Sequence, residues 1–280
     1  MAIRVPTPFT NNGASFIPPN QYLVAGQSLR SPDGRYHLEV QGDGVAAIYD
    51  ANQAVWVANL SAQYSYETYN TAYYKTWLVN DYHLFLQDGT RKRTWISDNS
   101  DWPFKEAGDY TCAYLQDDGN LVSVTFAVLW SIRKTNFEMP FNNGVLVISP
   151  GSELAVNKDY AVGDSRLIFQ DDGNLVLYGK DNVVLWASYT QNKSATKAVM
   201  QSDGNFVIYD AAGVALWNTG TAGQSGAFAQ VQSNGNFVIV SQTITWARFG
   251  FTPKHKPVNV FYPDHGTGPL DTYKTWKWVF

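Results

Sequence analysis

The residues best suited to chemistry stand at every second position of one short stretch: Gln170, Asp172, Asn174, Val176 and Tyr178. A strand sends alternate side chains to the same face, and the Asp172-Gly173 turn signal folds the row so that both arms present that face. The face then holds a carboxylate that only accepts hydrogen bonds, two amides that donate and accept, and a phenol that does either. Such a mixture satisfies adjacent hydroxyl groups of a polyol in both directions. Val176 adds a small apolar floor for ring C–H groups, where a larger side chain would take the ligand's space. A turn alone explains Asp-Gly-Asn and a strand alone explains the alternation, but neither requires the preceding Gln or the following Tyr. Both recur in a second complete row, Gln201, Asp203, Asn205, Val207 and Tyr209.

Other chemistries find less support. A glycosidase needs two carboxylates across a cleft, and Asp171-Asp172 or Asp117-Asp118 could be proposed. Neighbours on an extended chain point to opposite faces, however, and the glycine-rich turns explain both pairs, so no catalytic residue and no enzyme activity is expected. His37, His83, His255 and His265 are scattered without metal-ligand spacing, so neither a metal site nor another cofactor is expected. The single cysteine, Cys112, has no internal partner and reads as a small buried apolar residue. The net charge is −4 and the longest basic run is Arg91-Lys92-Arg93, which argues against a nucleic-acid partner. No apolar run is long enough to cross a bilayer as a helix, and the opening Met1–Phe9, with Pro6 and Pro8, has no signal-peptide core.

The elements that must position these rows form repeats. Gln170, Gln201 and Gln232 fall at equal intervals, and each row is followed by a tryptophan, Trp186, Trp217 and Trp246. The first half carries worn copies: Gln41-Gly-Asp-Gly-Val-Ala-Ala-Ile-Tyr49 with Trp56, a truncated Gln87-Asp-Gly with Trp95, and Gln116-Asp-Asp-Gly-Asn-Leu-Val-Ser-Val124 with Trp130. Each unit reads as a hairpin, and the tryptophans are expected to meet in a core on a pseudo-threefold axis. The 280 residues, 15% aromatic and 16% charged, suit two β domains. Three plus three units give an N-terminal domain over 1–136 and a C-terminal domain over 137–252, with the junction near Phe137. A Tyr-rich insertion at 62–74 sets the first domain apart. A proline-bearing extension, 253–280, reads as a connector closing on a strand. Its Tyr273-Lys-Thr-Trp276 repeats Tyr74-Lys-Thr-Trp77, as a shared pairing role or as a coincidence of composition.

The row Gln-x-Asp-x-Asn-x-Val-x-Tyr, with the threefold Trp-bearing repeats over about residues 14–250, resembles the monocot mannose-binding lectins. That resemblance implies an all-β fold of two tandem β-prism domains, each with three four-stranded sheets and one potential sugar site per sheet. It implies that Asp172 with Asn174, and Asp203 with Asn205, bind the axial O2 of mannose. Gln170 and Gln201 would bind O3, Tyr178 and Tyr209 O4, and Val176 and Val207 would pack on C3–C4. Two further rows depart from the pattern and are expected to be weak or silent. The row of Gln116, Asp118, Asn120 and Val122 ends in Val124 for Tyr; that of Gln232, Asn234, Asn236 and Val238 has Asn234 for Asp and ends in Val240. The Gln41 and Gln87 hairpins are expected to be structural.

Tandem domains of uneven completeness, without signal peptide or disulfide and with a C-terminal extension, look like the lectin-like bacteriocins of Pseudomonas type. This second resemblance implies release from the producer without a cleavable signal and killing of close relatives. The C-terminal domain would bind D-rhamnose-containing lipopolysaccharide, and the N-terminal domain would select strains through the outer-membrane protein-assembly machinery. A monomer that binds D-mannose or D-rhamnose glycans is the expectation. A plain agglutinin or attachment lectin would share every sugar-site residue and kill nothing.

Overall fold

The computed structural model describes residues 7–42, 45–58, 66–67, 77–81, 83–88, 93–97, 110–133, 138, 144–251, 256–261 and 274–279. The Arg91-Lys92 pair, most of the 62–74 insertion, the Phe137 junction, His255 and His265 lie outside them. Nearly all described elements are strands, and they fall into two compact units: Met1–Thr125 with Thr243–Phe280, and Phe126–Gln242.

The second unit contains three antiparallel sheets. Tyr160–Val162, Ser165–Phe169, Leu175–Tyr178 and Val184–Ala187 form the first in sequence order. Ala195–Met200, Phe206–Asp210 and Ala215–Asn218 form the second, edged by residues 152–154 through the Glu153–Val199 bridge and the Leu154 N–H bond to Ala198 O. Val145–Ile148, Phe228–Gln232 and the first part of Asn236–Ala247 form the third, completed by the last part of Leu121–Ser131. Alternation decides which side chains turn inward. Leu167, Phe169, Leu175, Leu177, Met200, Phe206, Ile208, Val231, Phe237 and Ile239 make one buried cluster, while the polar rows take the opposite face.

The hairpin turns lock the sheets to one another. Gly173 has φ +84°, and a Cβ there would come within 2.9 Å of Ala195 Cβ at the entry to the second sheet. Gly204, at φ +93°, is likewise covered by the Gln224 backbone on the way into the third. Both positions need glycine for backbone conformation and for space.

At the centre Trp130, Trp186 and Trp217 touch pairwise, with ring centroids 5.8, 5.6 and 5.3 Å apart. The tryptophans do meet in a core, but the third member differs from the repeat-based expectation. Trp130 closes the second unit, and Trp246 packs in the first, 6.4 Å from Trp56. The reason is strand length. Leu121–Ser131 and Asn236–Ala247 are 11 and 12 residues long, and each serves one unit with its first part and the other unit with its last. Repeat spacing records the order of the copies and is blind to this exchange.

The first unit has a four-stranded sheet, Ser28–Arg30, Tyr36–Val40, Ala46–Asp50 and Gln53–Val57. A second is built on Gln21–Val24, Trp77–Asp81, His83–Asp88 and Arg93–Ile96. In the third, Phe16–Ile17 and Thr111–Leu115 join the first part of Leu121–Ser131, and the Thr245 hydroxyl bonds Ser123. Cys112 is fully buried in this sheet, where desolvation pushes its thiol well above the ordinary range. In the extension, Lys256–Phe261 pairs antiparallel with Lys274–Val279, so the Thr275-Trp276 end of the repeated tetrapeptide sits in a hairpin strand.

The Gln87 hairpin corrects the sequence reading. Leu86 pairs with Trp95 as Leu177 pairs with Trp186, so Gln87 lies one residue further along the second strand, where the complete rows have tyrosine. Asp81 pairs with His83 in this copy, which leaves no room between the two strands for Gln-x-Asp-x-Asn. Its Gln-Asp-Gly string is a chance likeness.

Candidate functional site

The two complete rows have the same construction, bond for bond. Gln170 Nε2 donates to the Tyr178 hydroxyl at 2.9 Å, and Gln201 Nε2 to that of Tyr209 at 2.9 Å. Asp172 Oδ1 accepts the Asn174 N–H at 2.8 Å, and Asp203 Oδ1 that of Asn205 at 2.9 Å. Each bond leaves the second carboxylate oxygen outward, on an exposed aspartate at a turn. Main-chain bonds Gln170 N–H to Asn174 O and Gly173 N–H to Gln170 O close the hairpin, and Gln201–Asn205 repeats them.

The asparagines are fixed by residues that the sequence reading missed. Ser188 Oγ donates to Asn174 Oδ1 at 3.0 Å, and the Thr190 N–H reaches the same oxygen at 3.3 Å. Thr190 Oγ1 in turn donates to Gly173 O at 2.6 Å. In the other row Thr219 Oγ1 and the Thr221 N–H hold Asn205 Oδ1 at 3.0 and 3.2 Å, and Thr221 Oγ1 donates to Gly204 O. With its oxygen filled from the protein, each amide can offer a ligand only its Nδ2 donors. Asp and Asn thus divide the work: one accepts and the other donates, which fits a single hydroxyl that must do both. The signal was in the sequence, as a hydroxyl residue two and four places after the tryptophan in both rows.

These hydroxyls also carry stability. Ser188 Oγ and Thr219 Oγ1 accept the buried N–H groups of Leu175 and Phe206, each at 3.0 Å. Ser188→Ala or Thr219→Ala is expected to cost about 1–3 kcal/mol, the cost of stranding a buried donor. The exchanges Ser188→Thr and Thr219→Ser keep the hydroxyl, each giving the residue that the other row has, and should change stability by only about 0.8 kcal/mol, the value of one buried methyl. Denaturant unfolding of the four variants checks this.

Val176 and Val207 lie on the same face as the polar rows but are only 3% and 2% exposed. They form a closed floor under the row. A larger residue there would have to displace packed neighbours, at about 1–3 kcal/mol, so a bulky substitution at either valine perturbs the fold along with the site.

The incomplete rows depart from this pattern in ways their side chains explain. Asn120 donates its amide to Phe249 O at 3.1 Å and accepts the Phe249 N–H, which uses the donor that the complete rows leave outward. Gln232 is wholly buried and gives its amide to Glu138 O and Gln230 Oε1, each at 3.0 Å. Asn236, also buried, accepts from Ser131 Oγ and the Arg133 N–H. Where the complete rows have tyrosine, Val124 pairs with Cys112 and Val240 with Phe228, all four buried. A phenol on such a covered face would leave its hydroxyl unsatisfied. In the Gln41 copy Gln41 Nε2 still donates to the Tyr49 hydroxyl, and His37 stacks on the Tyr49 ring at 5.0 Å, but Val45 and Ala47 replace the asparagine and valine.

No family model and no curated protein matches the chain. Solved structures do. A two-domain lectin, the native fetuin-binding agglutinin of Scilla campanulata, is 21% identical over 81% of this chain and 94% of its own, with a TM-score of 0.51. The mannose-specific agglutinin of snowdrop (Galanthus nivalis) bulbs, complexed with methyl-α-D-mannoside, is 32% identical over 38% of this chain and 97% of its own, with a TM-score of 0.33. A monomeric monocot mannose-binding lectin from Gastrodia elata is 34% identical over 37% and 95%, with a TM-score of 0.31. The chain has a two-domain β-prism fold like that of the Scilla agglutinin. On that fold the second unit carries two complete rows and the incomplete Gln232 row, and the first unit carries only incomplete ones.

Proposed function

We propose that this protein is a lectin-like bacteriocin that binds D-mannose and D-rhamnose glycans in the lipopolysaccharide of related Gram-negative bacteria and kills them. The observation that carries the sugar-binding part is the duplicate hydrogen-bond pattern of the Gln170 and Gln201 rows. In each, an exposed carboxylate and an amide with its oxygen already filled stand beside a Gln–Tyr pair. D-rhamnose is 6-deoxy-D-mannose and keeps O2, O3 and O4, so such a row accepts either sugar. Two rows on one chain let a repeating polysaccharide bind through both, and effective concentration then multiplies affinity by about 10²–10⁴.

The uneven distribution of rows supports the killing part. The first unit keeps the fold, has no complete row and carries an insertion and an extension that the second lacks. In this reading it engages the outer-membrane protein-assembly machinery of the target, and the protein acts outside its producer. Spotting wild type and the Asp172→Asn/Asp203→Asn variant on lawns of many Pseudomonas strains tests the proposal. Clearing by wild type that fades in the variant supports it. No clearing on any strain, with glycan binding intact, would make the protein a plain mannose-binding lectin.

A further inference from the structure

The two complete rows match in every polar contact, yet one differs sharply at its margin. Between Ser188 and Thr190, the residues that hold Asn174, stands Tyr189; between Thr219 and Thr221, which hold Asn205, stands Gly220. Both occupy the left-handed region, Tyr189 at φ 56° and Gly220 at φ 69°. Glycine takes that conformation freely, and a bulky side chain does so rarely and under strain. The loop with glycine holds its asparagine by the same bonds and adds one from the Gly220 N–H to Asn218 Oδ1, so holding the asparagine does not require a tyrosine. Nor does packing hold it there. Tyr189 is 71% exposed, more than any other exposed large hydrophobic among the described residues.

We infer that Tyr189 is an aromatic platform that extends the Gln170 site to a second pyranose, linked to the sugar held on the row. Its position supports this. The residues on both sides of Tyr189 are tied to Asn174 Oδ1, Ser188 through its hydroxyl at 3.0 Å and Thr190 through its N–H at 3.3 Å. The ring therefore springs from the asparagine end of the row, within a side chain's length of whatever Asn174 binds. A phenol ring there offers a flat face to the C–H side of a pyranose and a hydroxyl at its tip. The anchoring bonds hold the loop in place, so a ligand meets a ready platform at little ordering cost. The Gln201 site, with Gly220, lacks it and reads one residue alone. The second unit thus has one site for the run of a glycan and one for a single sugar.

The inference rests on the reading of the rows as sugar sites, and its test separates the two. The full chain carrying Asp203→Asn, which silences the second row, is titrated calorimetrically with methyl α-D-mannoside and with the α-1,2-, α-1,3- and α-1,6-linked mannobioses. At least one mannobiose should bind about fivefold tighter than the monosaccharide, the gain of one aromatic contact. Adding Tyr189→Gly should erase that gain and leave methyl α-D-mannoside within about twofold. In the reciprocal chain, Asp172→Asn with Gly220→Tyr, the Gln201 row should acquire the preference. A mannobiose preference unchanged by Tyr189→Gly overturns the inference and leaves the sugar rows standing, as does the absence of any preference in the Tyr189 chain. No binding of methyl α-D-mannoside by either single Asp→Asn chain overturns the row assignment and the inference with it. Because Tyr189→Gly relieves a strained backbone, loss of folding does not cloud the result.

Discussion

Phe237→Ala is expected to destabilise the second unit by about 3–5 kcal/mol, the usual cost of emptying a buried phenylalanine site. Phe237 is fully buried, with ring centroids 5.7 Å from Trp130, 6.2 Å from Trp186 and 5.4 Å from Phe206. Those partners come from all three sheets of the unit. A cavity there cannot be closed by the movement of one sheet alone, because the Trp130–Trp186–Trp217 triangle holds the sheets in register around it. Val128→Ala is the control: Val128 lies on the strand that bears Trp130 but is 38% exposed, and its truncation should change stability by less than about 0.5 kcal/mol. Urea unfolding followed by tryptophan fluorescence reads both, since Trp130 and Trp186 border the cavity. A midpoint for Phe237→Ala no lower than that of Val128→Ala would remove this cluster as the anchor of the unit.

How much of this was legible in the sequence depends on the range over which each feature is written. The complete rows were legible because alternation is local: Gln170 to Tyr178 is one hairpin, and its polar and apolar faces follow from period two. The inward set Leu175, Leu177, Phe206 and Ile208 came with it. The hydroxyls that hold Asn174 and Asn205 were not legible in a single copy, because they act across a third strand, after the tryptophan. Only the two copies side by side reveal them. The place of Trp130 and Trp246 was out of reach for a different reason. Both strands run through the point where they pass from one unit to the other without a glycine, a proline or a turn, so no local signal marks the exchange. Gln87 shows the opposite error, in which a string of the right residues lies in the wrong register, and only strand pairing reveals the slip. The loss of tyrosine at Val124 and Val240 was visible, but its cause, a covered outer face, belongs to tertiary structure.

The double variant Asp172→Asn/Asp203→Asn should lose most sugar binding while keeping the fold. An asparagine at either position has the shape of the aspartate and can still accept the following Asn N–H through Oδ1, so the turn survives. What changes is the outward atom, which becomes a donor where there was a charged acceptor. Since Asn174 and Asn205 already present only donors, a ligand hydroxyl between the two groups keeps partners for its lone pairs and finds none for its own hydrogen. Hydrogen bonds to charged groups contribute about 1.5–3 kcal/mol, so methyl α-D-mannoside should bind each altered row about 10- to 150-fold more weakly. Calorimetric titration measures this, with near-ultraviolet circular dichroism as the check on folding. Affinity within twofold of wild type in a folded double variant would mean that the sugar is read elsewhere. The single variants then separate site chemistry from avidity. For a monosaccharide, each should retain one site of unchanged affinity, whereas for a mannose or rhamnose polymer each should lose the added affinity that linkage provides. If a single substitution weakens polymer binding no more than it reduces the number of monosaccharide sites, the two rows act independently, and targeting rests on one contact at a time.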